Sequence, residues 1–383
     1  MSRGNAWVLG ATGQIGRVAV RSLVEDGWEV TAASLGGGRD AGWDAAVRTT
    51  TLDRNAEGAL AAALGDGCDV LVDMVAYDAG HARQLTGLVD RIGSAVVISS
   101  GATYEDDRGR SFDTQGEPDG APHYPVPIPE SQRTVPAGDT TYATRKIELE
   151  RDLLAAGATL PVTLLRAGAI HGKHCRSPRE LFFVKRLVDG RDRRVLAFGG
   201  ESRFHPVHAS NLAELIRLAA LRPGSRVLNA GDPQAPTVAE IGEAVDAVLG
   251  RSTSTVLSAG PPGEDGVGGT PWSSPHPIVY DMTAAERELG YRPVTGYVQS
   301  LPETVEWIAA RLAGQDWTEA FPAMLRSYGK KLFDYAAEDA WLAAYDRRGE
   351  TAPVGFTLRG RRAARSAPRP GRRAAGALRR RGR

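Results

Sequence analysis

The segment Gly10-Ala-Thr-Gly13-Gln-Ile-Gly16 restricts the fold more than any other part of the chain. It joins an apolar run at residues 6–10 to an amphipathic stretch at residues 14–26. A strand that turns this sharply into a helix needs glycine where a side chain would obstruct the bend. The helix N-terminus then presents free amides and the positive end of its dipole. A second strand-like run, residues 28–33, follows at the spacing of a βαβ unit. Strand, glycine turn, helix and strand in that order form the arrangement that cradles the pyrophosphate of a dinucleotide. The expected cofactor contacts here are Gly10, Thr12, Gly13, Gln14, Ile15 and Gly16.

The same alternation continues. Helical periodicity at 55–64, 79–92 and 141–156 separates strand-like runs at 69–75, 95–99 and 162–166. Strands that are apolar throughout belong to a parallel sheet covered on both faces. The expected class is therefore α/β, a doubly wound, Rossmann-like parallel sheet at residues 1–170, interrupted by a proline-rich excursion or lid at 105–139. A smaller α+β substrate domain is expected at 171–348, with some segments returning to the core sheet. Its helices are placed at 180–190, 208–221, 237–249, 283–289, 301–312 and within 320–344, with a short strand at 227–229. Thr237 and Glu240 form a capping-box pair at the start of one of them. Residues 252–277 read as a surface loop. The apolar side chains between Phe321 and Leu342 need cover, from this chain or from a second copy in a homodimer.

Composition narrows the class. Of 383 residues, 42% are hydrophobic and 24% charged, near the globular average. The 47 basic and 46 acidic residues give a net +1. Residues 359–383 hold eleven arginines and no acid, so the remaining 358 residues carry −10. An acidic body with an Arg-rich tail does not read as a polyanion binder, and that tail lacks aromatic residues for base stacking. Nucleic acid is not an expected partner, and disorder is expected for 349–383. Only Cys68 and Cys175 occur, which points to a reducing, cytoplasmic setting. No run approaches the roughly eighteen apolar residues of a membrane span.

The second strand runs into Ser34-Leu35-Gly36 without the carboxylate that would hold the adenosine ribose hydroxyls. Ser34 and Arg39 are suited to a 2′-phosphate, so NADP is preferred over NAD. Asp53 either meets the adenine edge or caps the helix that follows. Tyr142 and Lys146, four residues apart, share one helical face. A phenol of pKa ~10 is a poor base unless a cation favours its phenolate. Ser100 ends the strand before them, where a hydroxyl points into the cofactor crevice. Thr103 and His171 are placed at the substrate side. His171, His174 and Cys175, and separately His205 and His208, lack a suitably placed carboxylate, so no metal is expected and they read as polar residues around a cleft.

These motifs together resemble the extended short-chain dehydrogenase/reductase superfamily, in its NAD(P)-dependent epimerase/dehydratase branch. GATGQIG, SSGATY, YATRK, LLRAGAIHG, VHASNLAELI, VLNAGDPQAPTVAEIGEAV and DMTAAERELGYRP follow the family's order across residues 6–312. The resemblance implies dinucleotide binding by Gly10, Gly13 and Gly16, and catalysis by Ser100, Tyr142 and Lys146. Tyr142 would be the acid/base; Lys146 would hold the nicotinamide ribose and lower the tyrosine pKa. The implied substrate is a small, sugar-like molecule with a hydroxyl or carbonyl carbon. Sugar 4,6-dehydratases of the family carry an Asp-Glu pair after the catalytic hydroxyl, and Gly101-Ala102 stand there instead. Arg166-Ala167 replaces Arg-Pro, His171-Gly172 replaces Tyr-Gly, and the Ser100–Tyr142 spacing is longer than usual. Arg203 lies about one residue from the arginine that grips a diphosphate in nucleotide-sugar members. A rival reading is a dinucleotide- or RNA-binding scaffold that keeps the fold without turnover.

Overall fold

A computed structural model describes residues 2–348; the expectation of disorder for 349–383 lies outside the described residues. The first half builds β1 (Asn5–Leu9), α1 (Gln14–Glu25), β2 (Glu29–Ser34), β3 (Arg48–Thr51), α2 (Ala59–Leu64), β4 (Val70–Asp73), α3 (Ala79–Thr86), β5 (Ala95–Ser100), α4 (Tyr142–Ala155) and β6 (Val162–Ala167). The second half adds β7 (Ala169–His171), α5 (Leu181–Val188), β8 (Arg193–Leu196), β9 (Pro206–His208), α6 (Ala209–Leu221), β10 (Arg226–Ala230), α7 (Val238–Val248) and β11 (Ser254–Leu257). It closes with α8 (Thr283–Leu289), α9 (Tyr297–Leu312), α10 (Trp317–Ala320), α11 (Pro322–Tyr328) and α12 (Tyr335–Arg347).

Seven parallel strands form one sheet in the order β10-β6-β5-β4-β1-β2-β3. Side chains alternate across it: Ala6 and Val8 enter one core with α1, α6 and α8, whereas Leu9 enters another with α2, α3 and α4. Both faces are thus covered over the central strands β4, β5 and β6, which are largely apolar for that reason, whereas the edge strand β3 is polar and mostly exposed. Strand order reverses between β1 and β4. The crevice beyond their carboxyl ends is where a ligand of such a sheet binds. A third core joins α5, α7, α9, α10 and α11 and includes Trp317, Phe321 and Met324, so this chain covers most of its own late apolar load.

Three differences from the sequence reading have physical causes. Residues 252–277 are not all surface loop: β11 pairs with β8, and Trp272 is 1% exposed. Glycine and proline around these short apolar pieces mask them. Helix α9 starts at Tyr297 rather than 301, with Pro302 inside it. Helix α2 starts at Ala59 because Gly58 adopts a left-handed φ of 70°. The proline-rich excursion is tied down by Tyr104, Tyr124, Ile128, Ile278 and Tyr280, which form one cluster.

Candidate active site

The glycine turn follows β1. Gly10 has φ +81°, and a Cβ there would lie 2.9 Å from Val75 Cγ1. A Cβ on Gly16 would lie 2.5 Å from the carbonyl oxygens of Gly10 and Ala11, so α1 sits directly on the turn. Gly13 precedes the helix and supplies no side-chain cap, which leaves the first amides of α1 free of such a partner. Ile15 packs against the core behind, Gln14 Nε2 donates to Gly172 O at 3.2 Å, and Thr12 O accepts from Arg17 Nε at 2.9 Å. An uncapped helix end over a turn that lacks side chains at Gly10 and Gly13 fits the pyrophosphate of a nicotinamide dinucleotide.

At the far end of β2, Ser34 is buried and its Oγ has no hydrogen-bond partner among the described residues. No carboxylate stands between Ser34 and Gly38. Arg39 donates to Val47 O at 2.7 Å and to Asp44 O, which leaves further guanidinium N–H groups unused. Asp53 Oδ1 accepts from Asn55 N at 2.9 Å, so it caps the local turn. Behind it the buried Arg54 pairs with Asp73 and Gln84, a contact the sequence reading missed.

Helix α4 opens at Tyr142 behind a Thr141–Thr144 capping box. That start places the Tyr142 phenol beside Ser100, at the end of β5, close enough for Ser100 to favour its ionised form. Ser100 Oγ also accepts from Ala102 N at 3.1 Å. One turn further along, Lys146 is 2% exposed, and its Nζ donates to Ala76 O at 2.5 Å and Ile98 O at 2.9 Å. One ammonium N–H remains. Nζ lies 5.7 Å from the Tyr142 ring centroid and 5.2 Å from that of Tyr77. Next on this face, Glu150 pairs with Arg166 at 2.6 Å and accepts from Ser99. The structure thus brings Ser100, Tyr142 and Lys146 together, and adds Tyr77 and Glu150, which the sequence reading did not single out.

In the chain alone, desolvation raises the Tyr142 phenol above its ordinary value, and its interaction with Ser100 offsets this only in part. Desolvation also pulls Lys146 from 10.5 down to about 8, against the opposing charges of Asp73 and Glu150. Between those values the unfolded chain holds the lysine proton more tightly than the folded one. Stability linked to this group therefore rises with pH from about 8 to 10.5 and is lost as pH falls back through about 8. Lys146→Met should flatten that part of the urea-midpoint profile; an identical slope in both proteins would contradict the assignment.

The three predicted substrate contacts are each already engaged by a neighbouring group. Thr103 is fully buried and donates to Ser100 O at 2.8 Å. His171 is 1% exposed, and its Nε2 meets Asp232 at 2.7 Å, so it serves the interior rather than a cleft. His205 and His208 are likewise buried, because Asp232 and its backbone gather them against Asn211. Arg203 donates to Ala235 O and lines a surface pocket of about 740 Å³ with Gln234, Glu240 and Tyr297. None of Ser100, Tyr142 and Lys146 borders that pocket. Arg179, by contrast, stacks on the Phe204 and Trp272 rings at 5.0 and 5.5 Å. Its Nε is buried without a hydrogen-bond partner among the described residues. Sequence offers no signal to separate it from the many other arginines.

The sequence model of the NAD dependent epimerase/dehydratase family matches residues 6–231. The chain belongs to this family. No curated protein matches it. Among solved structures, UDP-glucose 4-epimerase from Thermotoga maritima, with UDP-glucose, superposes at TM-score 0.62 and 19% identity, over 80% of this chain and 99% of that one. UDP-N-acetylglucosamine 4-epimerase from Methanobrevibacter ruminantium M1, with UDP-N-acetylmuramic acid, gives 0.61 and 18%, over 81% and 100%. dTDP-glucose 4,6-dehydratase from Bacillus anthracis, in complex with NAD, gives 0.59 and 17%, over 84% and 99%. Family membership makes this chain an enzyme of nicotinamide dinucleotide chemistry, and the solved structures share its fold. No helix among the described residues is long and apolar enough to cross a membrane.

Proposed function

We propose that the protein is an NADP(H)-preferring oxidoreductase or epimerase acting on a hydroxyl- or carbonyl-bearing carbon of a small, sugar-like substrate. The convergence of Ser100, Tyr142 and Lys146 at the carboxyl end of β5 carries this reading. In it, residues 1–170 hold the cofactor and residues 171–348 supply most of the substrate side. The dinucleotide, when bound, supplies or takes up the hydride. Ser100 donates a hydrogen bond to the substrate oxygen, and Tyr142 gives a proton to that oxygen or removes one from it. The remaining N–H of Lys146 holds a ribose hydroxyl of the cofactor. Because Tyr142 is raised, the neutral phenol prevails and suits it as an acid toward a carbonyl. Alcohol oxidation should accordingly gain rate as pH rises. Gly101 and Ala102 offer no carboxyl group, which disfavours elimination of water by the route the 4,6-dehydratases use. Arg179, rather than Arg203, is the guanidinium available to an anionic substituent of the substrate.

The NADP preference rests on the absence of an acid at the end of β2 and on the unused N–H groups of Arg39. A charge-assisted hydrogen bond contributes roughly 1.5–3 kcal/mol, so Arg39→Ala should weaken NADPH binding by about tenfold or more. NADH affinity should hardly change. Equal effects on both cofactors would contradict the assignment. Mass analysis of the nucleotide released on denaturing the purified protein separates the two reaction types. A tightly retained dinucleotide indicates hydride return within one turnover, hence an epimerase; reversible exchange indicates a net oxidoreductase.

A further inference from the structure

The Tyr280 side chain closes on the backbone of Gly101. A Cβ on Gly101, immediately after Ser100, would lie 2.0 Å from the Tyr280 hydroxyl oxygen. On the next strand, a Cβ on Gly168 would lie 3.1 Å from Cε2 of the same ring. Two glycines at the carboxyl ends of β5 and β6 therefore make room for one phenol. Its placement is fixed from several sides. Tyr280 N donates to His205 Nδ1 at 2.9 Å, and its ring stacks on His205 with centroids 5.7 Å apart. The backbone of Tyr280 also bridges to Ile128 of the proline-rich excursion, and Asp281 N donates to Ile128 O at 2.8 Å.

The residue is 3% exposed, yet its hydroxyl has no hydrogen-bond partner among the described residues. A buried hydroxyl is ordinarily paired, because leaving it unpaired costs free energy. Here the hydroxyl stands in the space that a side chain at position 101 would take, beside Ser100. We propose that Tyr280 donates a hydrogen bond to a substrate oxygen next to the reacting carbon, and so selects substrates carrying a second oxygen at that position. This rests on the reading of the Ser100–Tyr142–Lys146 cleft as the site of hydride transfer. Burial keeps the phenol neutral, so it serves as a donor and does not replace the carboxyl group that position 101 lacks.

Tyr280→Phe keeps the ring, its stack on His205 and every backbone contact, and removes only the hydroxyl. Product formation is followed by chromatography with UDP-glucose, UDP-galactose, UDP-glucuronate and free D-glucose, with NADP(H) and NAD(H) supplied. The panel member the wild type converts fastest becomes the probe. The variant should lose about three- to tenfold in kcat/KM, the range of one neutral hydrogen bond. Its NADPH affinity and thermal midpoint should match the wild type, which a merely structural role for the hydroxyl would not allow. Unchanged kcat/KM overturns the role of Tyr280 and leaves the hydride-transfer reading intact. A parallel fall in NADPH affinity or thermal midpoint makes the hydroxyl structural and also overturns the proposal. Conversion of no panel member by the wild type defeats the sugar-like substrate reading, and this inference with it.

Discussion

Tyr142→Phe is expected to reduce turnover by about 10²–10⁴-fold, the usual contribution of a positioned acid/base group. The effect should fall on kcat, because the phenol moves a proton only as the substrate oxygen changes charge. The ring remains at the start of α4, where Thr141 and Thr144 cap the helix without using the hydroxyl. Thermal stability and NADPH affinity should therefore stay close to wild type. Ser100→Ala should also lower turnover, but it additionally removes the acceptor for Ala102 N, so a change in stability is expected alongside. Steady-state kinetics and a cofactor titration on the same preparations check this. A Tyr142→Phe enzyme within about threefold of wild type would remove the phenol from the chemistry.

The second large effect concerns stability. Arg166→Met should destabilise the fold by about 3–5 kcal/mol, because it leaves the Glu150 carboxylate buried without its cation. Both side chains are almost fully enclosed, at 7% and 3% exposure, and the pair is bidentate. Ser99 remains as a donor to Glu150 but cannot balance its charge. A drop in thermal midpoint on the order of ten degrees follows. Replacing both partners, Arg166→Met with Glu150→Met, should recover most of the loss, since two apolar groups leave no charge stranded. Calorimetry on the single and double variants decides this. A double variant as unstable as the single one would show that packing, not charge, holds this region.

Both effects concern the part of the chain that sequence describes best. Residues at β1, β2, β4, β5 and β6 carry apolar runs between amphipathic helices, so the existence of these strands and their parallel, doubly wound arrangement follow from patterning. The glycine turn is equally legible, because φ +81° at Gly10 and the contact at Gly16 leave no room for other residues. Strands β7, β8, β9 and β11 are three or four residues long and pair only with each other, too short for periodicity to mark. Their register depends on contacts such as Asp232 with His171 and Asn211, which are distant in sequence. For the same reason the pairing of His171 with Asp232, the approach of Tyr280 to Gly101 and the stacking of Arg179 on Phe204 cannot be read from neighbours in sequence. Proximity to a motif along the chain shows which residues lie near the crevice, and tertiary pairing decides which of them face it.

Equilibrium titration of the purified protein with NADPH and with NADH, followed by nicotinamide fluorescence, decides whether the glycine turn holds a dinucleotide. Saturable binding of one dinucleotide per chain is expected, tighter for NADPH. Loss of binding is also expected when Gly16→Ala sets a methyl group against the carbonyl oxygens of Gly10 and Ala11. Binding of neither cofactor by the folded wild-type protein would contradict this placement of the dinucleotide, and would leave the glycine turn and the Ser100–Tyr142–Lys146 cluster as parts of a scaffold.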